Sequence, residues 1–361
     1  MIPAERTQIT LSQKEVTMNR MLSGPQLTRR GFIRLAGLTA GASLIPVWEL
    51  ASPPAVIGGA QKINVKFAHF FPIANPLHAT SVKLAELMAQ KSGGVFDVQV
   101  FPAGQLGDDK AQFEQVRLGG VQMGLGSAGI LSQTVASYDI FDAPYLFDDE
   151  KHLNRVIRSP IREEMSDRLI KAAGVRIPAL GFGGFRNLFT KKPVNSIADL
   201  KGLRIRTPEI PVYVETFKAL GASPTPLPYL EVYLALQQGT IDGAENPLSS
   251  GTDQKWPEVV KFVTLTKHQA TGQSFQVNER WYQGLTPDLR KVVEESCLES
   301  SEFLAGLMVE RDARFMDVIK KMGVTILTPD LEPFRKAVAD LPKKFESKWG
   351  PGLYEKIRSM R

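Results

Sequence analysis

The chain predicts an α/β fold in two bodies, and three features of its 361 residues carry that reading. Strand and helix patterns alternate from Ile63 to Leu125. The alternation returns between Arg176 and Ala244, in a second body joined to the first by more than one crossing. A helical pattern of about 35 residues, longer than most globular helices, then starts at Thr286.

Taken in order, Ile63, Val65 and Phe67 alternate as a strand does, with successive side chains on opposite faces. Asn75-Pro76 supplies a helix start, and Leu77, Leu84, Leu87 and Met88 share one helical face until Gly93-Gly94. Phe96, Val98 and Val100 alternate again. A helix from about Asp108 to Leu118 leads into a short strand, Val121 to Leu125. This is the βαβ grammar of a sheet flanked by helices. In the second body Arg176–Leu180 and Phe185–Thr190 read as two strands, and Leu203–Arg206 as a third. Val212–Leu220 and Tyr229–Gln238 read as helices, and Ile241–Ala244 as a short strand or turn. Thr286 is the expected cap of the long helix, Pro287 its first residue and Gly323 its stop. That helix is either one strut across both bodies or two helices broken near Ser300-Ser301.

Residues 1–60 stand apart from the fold. Thr28-Arg29-Arg30-Gly31-Phe32-Ile33-Arg34 is a twin-arginine export signature, and Leu35–Val47 after it is apolar but too short to span a bilayer. Gly58 and Ala60 suit cleavage before Gln61, and Met18 and Met21 are alternative starts. The expectation is export to the periplasm with no membrane insertion of the mature chain. The leader holds six Lys/Arg and three Asp/Glu, so its removal lowers the formal net charge from +6 to +3. So mild a balance, with no basic stripe, does not imply nucleic-acid binding, none is expected, and it suits an anionic small molecule. Cys297 is the only cysteine; it rules out an intrachain disulfide and thiolate metal sites and reads as a buried structural thiol. His152 and His268 have no partner at metal-ligand spacing, so no metal is expected.

The segment from Lys201 to Leu248 carries the chemistry. Arg206 stands at the end of a short strand, where a planar guanidinium pairs bidentately with a carboxylate or forms a surface salt bridge. Asn246, in Asp242-Gly243-Ala244-Glu245-Asn246-Pro247, both donates and accepts, or makes an Asx turn before proline. Tyr229 is placed either to stack on a ligand or to pack in the core. Gly124-Leu125-Gly126-Ser127-Ala128-Gly129 satisfies G-x-G-x-x-G, which raises an exported oxidoreductase with a dinucleotide or flavin as the alternative. It does not follow the first strand, however, and no clear helix comes after it; Leu125 also rules out a nucleophile elbow at Ser127. No cofactor is expected.

Phe101-Pro102-Ala103-Gly104-Gln105-Leu106-Gly107-Asp108, Phe141-Asp142-Ala143-Pro144-Tyr145-Leu146-Phe147 and the Arg206-to-Asn246 block together resemble the DctP-like solute-binding subunits of tripartite ATP-independent periplasmic (TRAP) transporters. The resemblance covers essentially the whole chain after residue 60. It implies a two-domain periplasmic binding protein fold, type II-like, with a ligand cleft between domains and a long bridging helix. The implied boundaries are 61–182 plus 273–311 for domain I and 183–272 plus 312–361 for domain II. It implies a non-enzymatic receptor that delivers an organic acid to TRAP membrane permease subunits. Arg206 would clamp the carboxylate, with Arg204 facing solvent and Asn246 reaching the ligand. Arg186, in Gly183-Gly184-Phe185-Arg186, would be a second ligand-side arginine, its glycines allowing close backbone approach. From domain I, Phe70, His78 and Ser127 fall in segments that line the family's cleft. Ala244 departs from the glutamine of many members.

Overall fold

The computed structural model describes residues 62–361, so the twin-arginine leader and its cleavage site lie outside the described residues. The first three strands are β1 (Ile63–His69), β2 (Phe96–Phe101) and β3 (Met123–Ser127), linked by helices α1 (Pro76–Lys91) and α2 (Asp109–Leu118). Asn75 and Asp108 cap these helices by accepting from the backbone N–H of Leu77 and Ala111, each satisfying a donor that helix geometry leaves free. Two short 3₁₀ segments, Gly129–Gln133 and Ala136–Asp142, precede α3 (Glu150–Ile157) and α4 (Pro160–Ala173).

β4 (Val175–Thr190) is one strand of 16 residues where the sequence pattern suggests two. It is continuous because it serves both halves of the sheet. Val175–Phe185 pairs antiparallel with β9 (Ala270–Asn278), whereas Arg186–Thr190 pairs with β7 (Gly243–Pro247). The register slips between Phe182 and Phe185, where Gly184 has φ +99°, a conformation that side chains with a Cβ rarely adopt. The Gly183–Gly184 pair therefore makes a bulge. A Cβ on Gly184 would come within 2.8 Å of Met308 and 3.0 Å of Pro247, so Gly184 serves the bulge and its packing.

After β4 come β5 (Arg204–Thr207), α5 (Pro211–Ala219), β6 (Ser223–Pro226), α6 (Val232–Gln238), β7, α7 (Leu248–Asp253) and β8 (Phe262–Thr264). Asn246 thus lies on a strand, further along than the expected strand or turn, and Tyr229 lies in a 3₁₀ turn before α6. β6 contains two prolines and occupies the edge, where the missing N–H groups cost no ladder bond. The strand order is β2-β1-β3-β9-β4-β7-β5-β6, with β8 pairing both β4 and β10 (Thr325–Leu327). This is the mixed α/β sheet, in two parts, that the sequence implies.

α8 (Glu279–Gln283) is short, and α9 (Pro287–Lys321) is a single unbroken helix of 35 residues. It packs on β4, on α1 of the first half and on α7 of the second, which decides for the strut. Gly181 permits this: a Cβ there would stand 2.9 Å from Leu304 of α9. α10 (Glu332–Ala337), α11 (Leu341–Trp349) and α12 (Leu353–Arg358) close the chain, with Trp349 and Ile357 buried against the first half's 3₁₀ segments and α3. Cys297 is wholly buried, as expected. No helix of the described residues is long and apolar enough to cross a membrane.

Candidate ligand-binding site

A cavity lies where the two halves of the sheet meet, with ≈ 80 Å³ available to the centres of water-sized molecules. Arg206, Arg186, Asn246, Tyr229, Ser127 and Phe70 all line it. His78 is not among its lining residues; its Nδ1 instead faces Nε2 of the buried His69 at 3.0 Å. Burial, and then the neighbouring His78, push the His69 pKa down to about 3, so this pair is neutral near pH 7.

The two arginines differ in their partners. Arg186 ends the crossover in β4, and its guanidinium is gripped by Glu245 of β7. Nη2 donates to Oε1 at 2.7 Å and to the Glu245 carbonyl at 2.9 Å, and Nε donates to Oε2. Its Nη1 reaches Thr271 Oγ1 at 3.3 Å, and the guanidinium lies 4.9 Å from the Tyr213 ring centroid. Burial disfavours the charge of Arg186, but Glu245 outweighs it and raises the pKa; the same pairing outweighs burial at Glu245 and lowers its pKa. His268 Nε2 also contacts Glu245 Oε2, at 3.3 Å, while its Nδ1 accepts from the Thr266 hydroxyl.

Arg206, on β5, has no such partner. Its Nε and Nη2 both donate to the Leu227 carbonyl, at 2.8 and 2.6 Å. Among the described residues no carboxylate lies within 4.0 Å of it, whereas Arg204, two residues earlier, is exposed and holds Asp242. Burial pulls the Arg206 pKa down to about 10. A guanidinium has five N–H donors. Two are anchored on Leu227, and Nη1 and the rest of Nη2 have no hydrogen-bond partner among the described residues. Alternation would set both arginines on one face of β5, so position along the strand makes the contrast: Arg204 stands at its exposed start, while Ile205, Arg206 and Thr207 are buried.

Tyr229 and Phe70 supply an apolar wall. Their rings meet edge-to-face at 5.7 Å, and the Tyr229 hydroxyl donates to the Ser250 carbonyl at 2.9 Å. Tyr229 therefore packs and lines the cavity at once. Asn246 is 5% exposed on β7, beside Pro247. Ser127 ends β3; its N–H donates to Asp109 Oδ1 at 3.2 Å and its hydroxyl donates to Oδ2.

Sequence reasoning missed Asp109, Phe71, Tyr213, Thr271 and Gln273, which also line the cavity, and Glu245 behind Arg186. Glu245 had left a signal, a carboxylate between Ala244 and Asn246 within the motif that carries the resemblance. Asp109 reads in sequence as an acidic residue in a helix's first turn and nothing more.

The glycine motif around Ser127 serves packing. A Cβ on Gly124 would meet Gln112 at 2.8 Å, and one on Gly126 would meet Asp109 at 2.6 Å. The next element is the five-residue 3₁₀ turn Gly129–Gln133, which lacks the α-helical N-terminus of a dinucleotide turn. Contacts also join the two halves: Asn75 Nδ2 donates to Asp253 Oδ2 at 3.0 Å and Gln133 Nε2 to the Glu209 carbonyl at 3.2 Å.

Comparison with known proteins agrees with this geometry. Residues 67–348 match the DctP family, described as bacterial extracellular solute-binding protein, family 7. The C4-dicarboxylate-binding periplasmic protein DctP of Rhodobacter capsulatus is 33% identical over 302 residues, covering 83% of this chain and 87% of that one. A TRAP periplasmic solute-binding protein from Bordetella bronchiseptica, with density assigned to pantoate, superposes with a TM-score of 0.80 at 29% identity, covering 83% of this chain and 100% of that one. Another, from Roseobacter denitrificans with bound L-galactonate, gives 0.77 at 29% identity, covering 83% and 99%. The chain belongs to family 7 of the bacterial extracellular solute-binding proteins, the DctP family, and has its two-domain α/β fold.

Proposed function

We propose that this protein is a periplasmic receptor that captures an organic acid through Arg206 and delivers it to the membrane permease of a TRAP transporter. One observation carries the reading: Arg206 is a buried cation with no carboxylate partner among the described residues, anchored along one edge and open on the other. Such a group lacks the counter-charge that burial demands, and a ligand carboxylate supplies it. Asn246 and the Nη1 of Arg186 add donors beside it. The relatives' ligands, pantoate and L-galactonate in two solved structures, are carboxylates, which supports the class.

The mechanism is binding followed by domain closure. Residues 61–182 plus 273–311 form domain I, and 183–272 plus the chain from 312 to β10 form domain II; α11 and α12 pack back on domain I, where Trp349 meets Asp139 and Ile357 meets His152. The register slip at Phe182–Phe185 supports the first of these boundaries. Ligand contacts available only when both domains meet shift the population to the closed form. Chemistry on the ligand is not part of the cycle. The twin-arginine leader directs the folded protein to the periplasm, and no permanent membrane contact is needed there.

A thermal-shift screen against organic acids, neutral sugars and amines tests the proposal. A ligand at a hundredfold excess over its Kd stabilises by about 2.7 kcal/mol, which moves the melting temperature by several degrees. Acids alone are expected to do so. A screen in which only neutral sugars or amines shift the transition refutes it.

A further inference from the structure

Asp109 sits in the first turn of α2 and lines the same cavity as Arg206. One residue holds both of its oxygens: Oδ1 accepts from the Ser127 N–H at 3.2 Å, and Oδ2 meets the Ser127 hydroxyl. This pairing serves either protonation state. Oδ1 accepts the N–H whether it is a carboxylate oxygen or the carbonyl of an acid. The hydroxyl donates to an ionised Oδ2 and accepts from a protonated one. The space over Gly126 is just as adaptable. A Cβ there would stand 2.6 Å from Asp109 Oδ1, 2.8 Å from Gln276 Nε2 and 3.5 Å from Gln112 Nε2. Gln112 is wholly buried and neither atom of its amide has a partner, so a donor and an acceptor are both unspent beside this carboxyl.

Few charges act on Asp109. Asp108 and Lys110 flank it on α2, Ser127 of β3 and Gln276 of β9 face it as neutral groups, and Glu209 of the lining is exposed. Asp108 opposes a negative charge on it, and Arg206 of β5 favours one from beyond ion-pair distance. Arg186 is already balanced by Glu245. Without a ligand, then, Arg206 lends part of its charge to Asp109. A ligand carboxylate on Arg206 withdraws that support and brings a second negative charge into the cavity. Burial already pushes the Asp109 carboxyl up to about 7 against the pull of Ser127 and Arg206, and both changes push it further the same way.

We propose, resting on the receptor reading above, that Asp109 takes up a proton as the ligand carboxylate pairs with Arg206, so that the receptor captures its organic anion together with a proton. The proton comes from solvent. An O–H bond forms on Asp109 Oδ2 and donates to Ser127 Oγ, and no bond of the ligand changes. The charges balance throughout: Arg206 and ionised Asp109 cancel before binding, and Arg206 and the ligand carboxylate cancel after it. Capture is therefore favoured where protons are plentiful, and release where they are scarce.

The test is isothermal titration of the mature protein with pantoate, L-galactonate and benzoate, each fully ionised above pH 6, in buffers of different ionisation enthalpy at pH 6, 7 and 8. Asp109→Asn and Asp142→Asn are measured alongside. With any probe that binds, the wild type is expected to take up about half a proton at pH 7 and about one at pH 8, and its Kd to weaken about tenfold from pH 6 to 8. The amide of Asp109→Asn stands in for the protonated acid. In that variant the Kd should not vary with pH, and at pH 8 it should be about tenfold tighter than wild type, a gain that loss of a merely structural side chain does not give. Asp142 is coupled to Arg186 and does not line the cavity, so Asp142→Asn should keep the wild-type slope. A wild-type uptake below about 0.3 proton at pH 8 overturns this inference and leaves the receptor reading standing, whether or not the variants fold. A slope that survives Asp109→Asn, or one that vanishes in Asp142→Asn, does the same. Failure of these probes and of every acid in the thermal-shift screen to bind overturns both.

Discussion

Replacing Arg206 by alanine should separate ligand affinity from stability, because this arginine is poorly satisfied without a ligand. Its Nε and Nη2 spend two donors on the Leu227 carbonyl, leaving an edge able to give two charge-assisted bonds to a carboxylate. At about 1.5–3 kcal/mol each, the loss is roughly 3–6 kcal/mol, or about a hundredfold to ten-thousandfold in Kd, with tenfold as the floor if water fills the vacated space. The apo protein should respond differently. Burial lowers the Arg206 pKa to about 10, so holding this charge opposes folding, and its removal offsets the loss of the Leu227 contacts. The apo melting temperature should therefore stay level or rise slightly. Calorimetric titration with an acid identified by screening measures the first quantity, and differential scanning calorimetry the second. Unchanged affinity would falsify the clamp. A clear fall in apo stability would show that Arg206 has a structural partnership instead.

The opposite pattern is expected at Glu245, where Glu245→Ala strands a buried Arg186 and costs roughly 3–5 kcal/mol; an apo melting temperature within a degree of wild type would refute the pairing. Asp109 and Asp142 are held by burial at about 7, against 3.8 for the ordinary group, so the native state retains protons that the unfolded chain has lost. Stability from these groups is full below pH 3.8 and lost as pH rises through 7. From pH 6 to 8 each contributes a fall of about 1 kcal/mol, which Asp142→Asn should flatten. The lowered pKa values of His69, His78 and His268 keep these rings neutral in the native state while the unfolded imidazoles still protonate near 6.5, so they add an opposite, rising slope between pH 6 and 7, and the Asp142 contribution is read as the difference between the variant and wild-type profiles. Asn75→Asp keeps the cap on Leu77 but sets a carboxylate against Asp253, so the radius of gyration with ligand should rise in X-ray scattering. Lowering the pH below about 6, where Asp253 protonates, should reverse it. Cys297 should resist a maleimide in the native protein and react once unfolded, because burial raises its thiol pKa and closes access.

Much of this was legible because it is local. Asn75, Asp108 and Thr286 accept from backbone N–H groups two or three residues on, and that spacing is visible in the chain. The lining role of Arg206 and Asn246 was legible through motif resemblance, and Ser127 and Phe70 through the segments they occupy. What was not legible depends on pairing across long separations. The two halves of β4 look like two strands because Gly183–Gly184 interrupts the alternation, and only the partners, β9 and then β7, show one strand bending at a bulge. Asp109 was hidden because a helix's first turn accounts for an acidic residue without any ligand. His78 looked like Phe70 in sequence position, yet its ring is turned to His69.

The two arginines show where sequence reasoning stops. Both precede or end short buried strand segments, and both suit a carboxylate. They part only through Glu245, which is 59 residues from Arg186 and faces it because β4 and β7 are antiparallel neighbours beyond the bulge. That same pairing sets Asn246 opposite Asn187, and the parallel pairing on the other side of β7 sets Ala244 beside Arg206 of β5. Thus the bulge that passes β4 from one half of the sheet to the other also assigns the charges: it gives Arg186 a permanent counter-ion and leaves Arg206 without one. A change at Gly184, which the positive φ makes intolerant of a side chain, should accordingly disturb ligand affinity through Arg186 although Gly184 does not line the cavity. For Gly184→Ala the expected signature is a weaker ligand Kd together with a lower apo melting temperature, the combination that Arg206→Ala does not give.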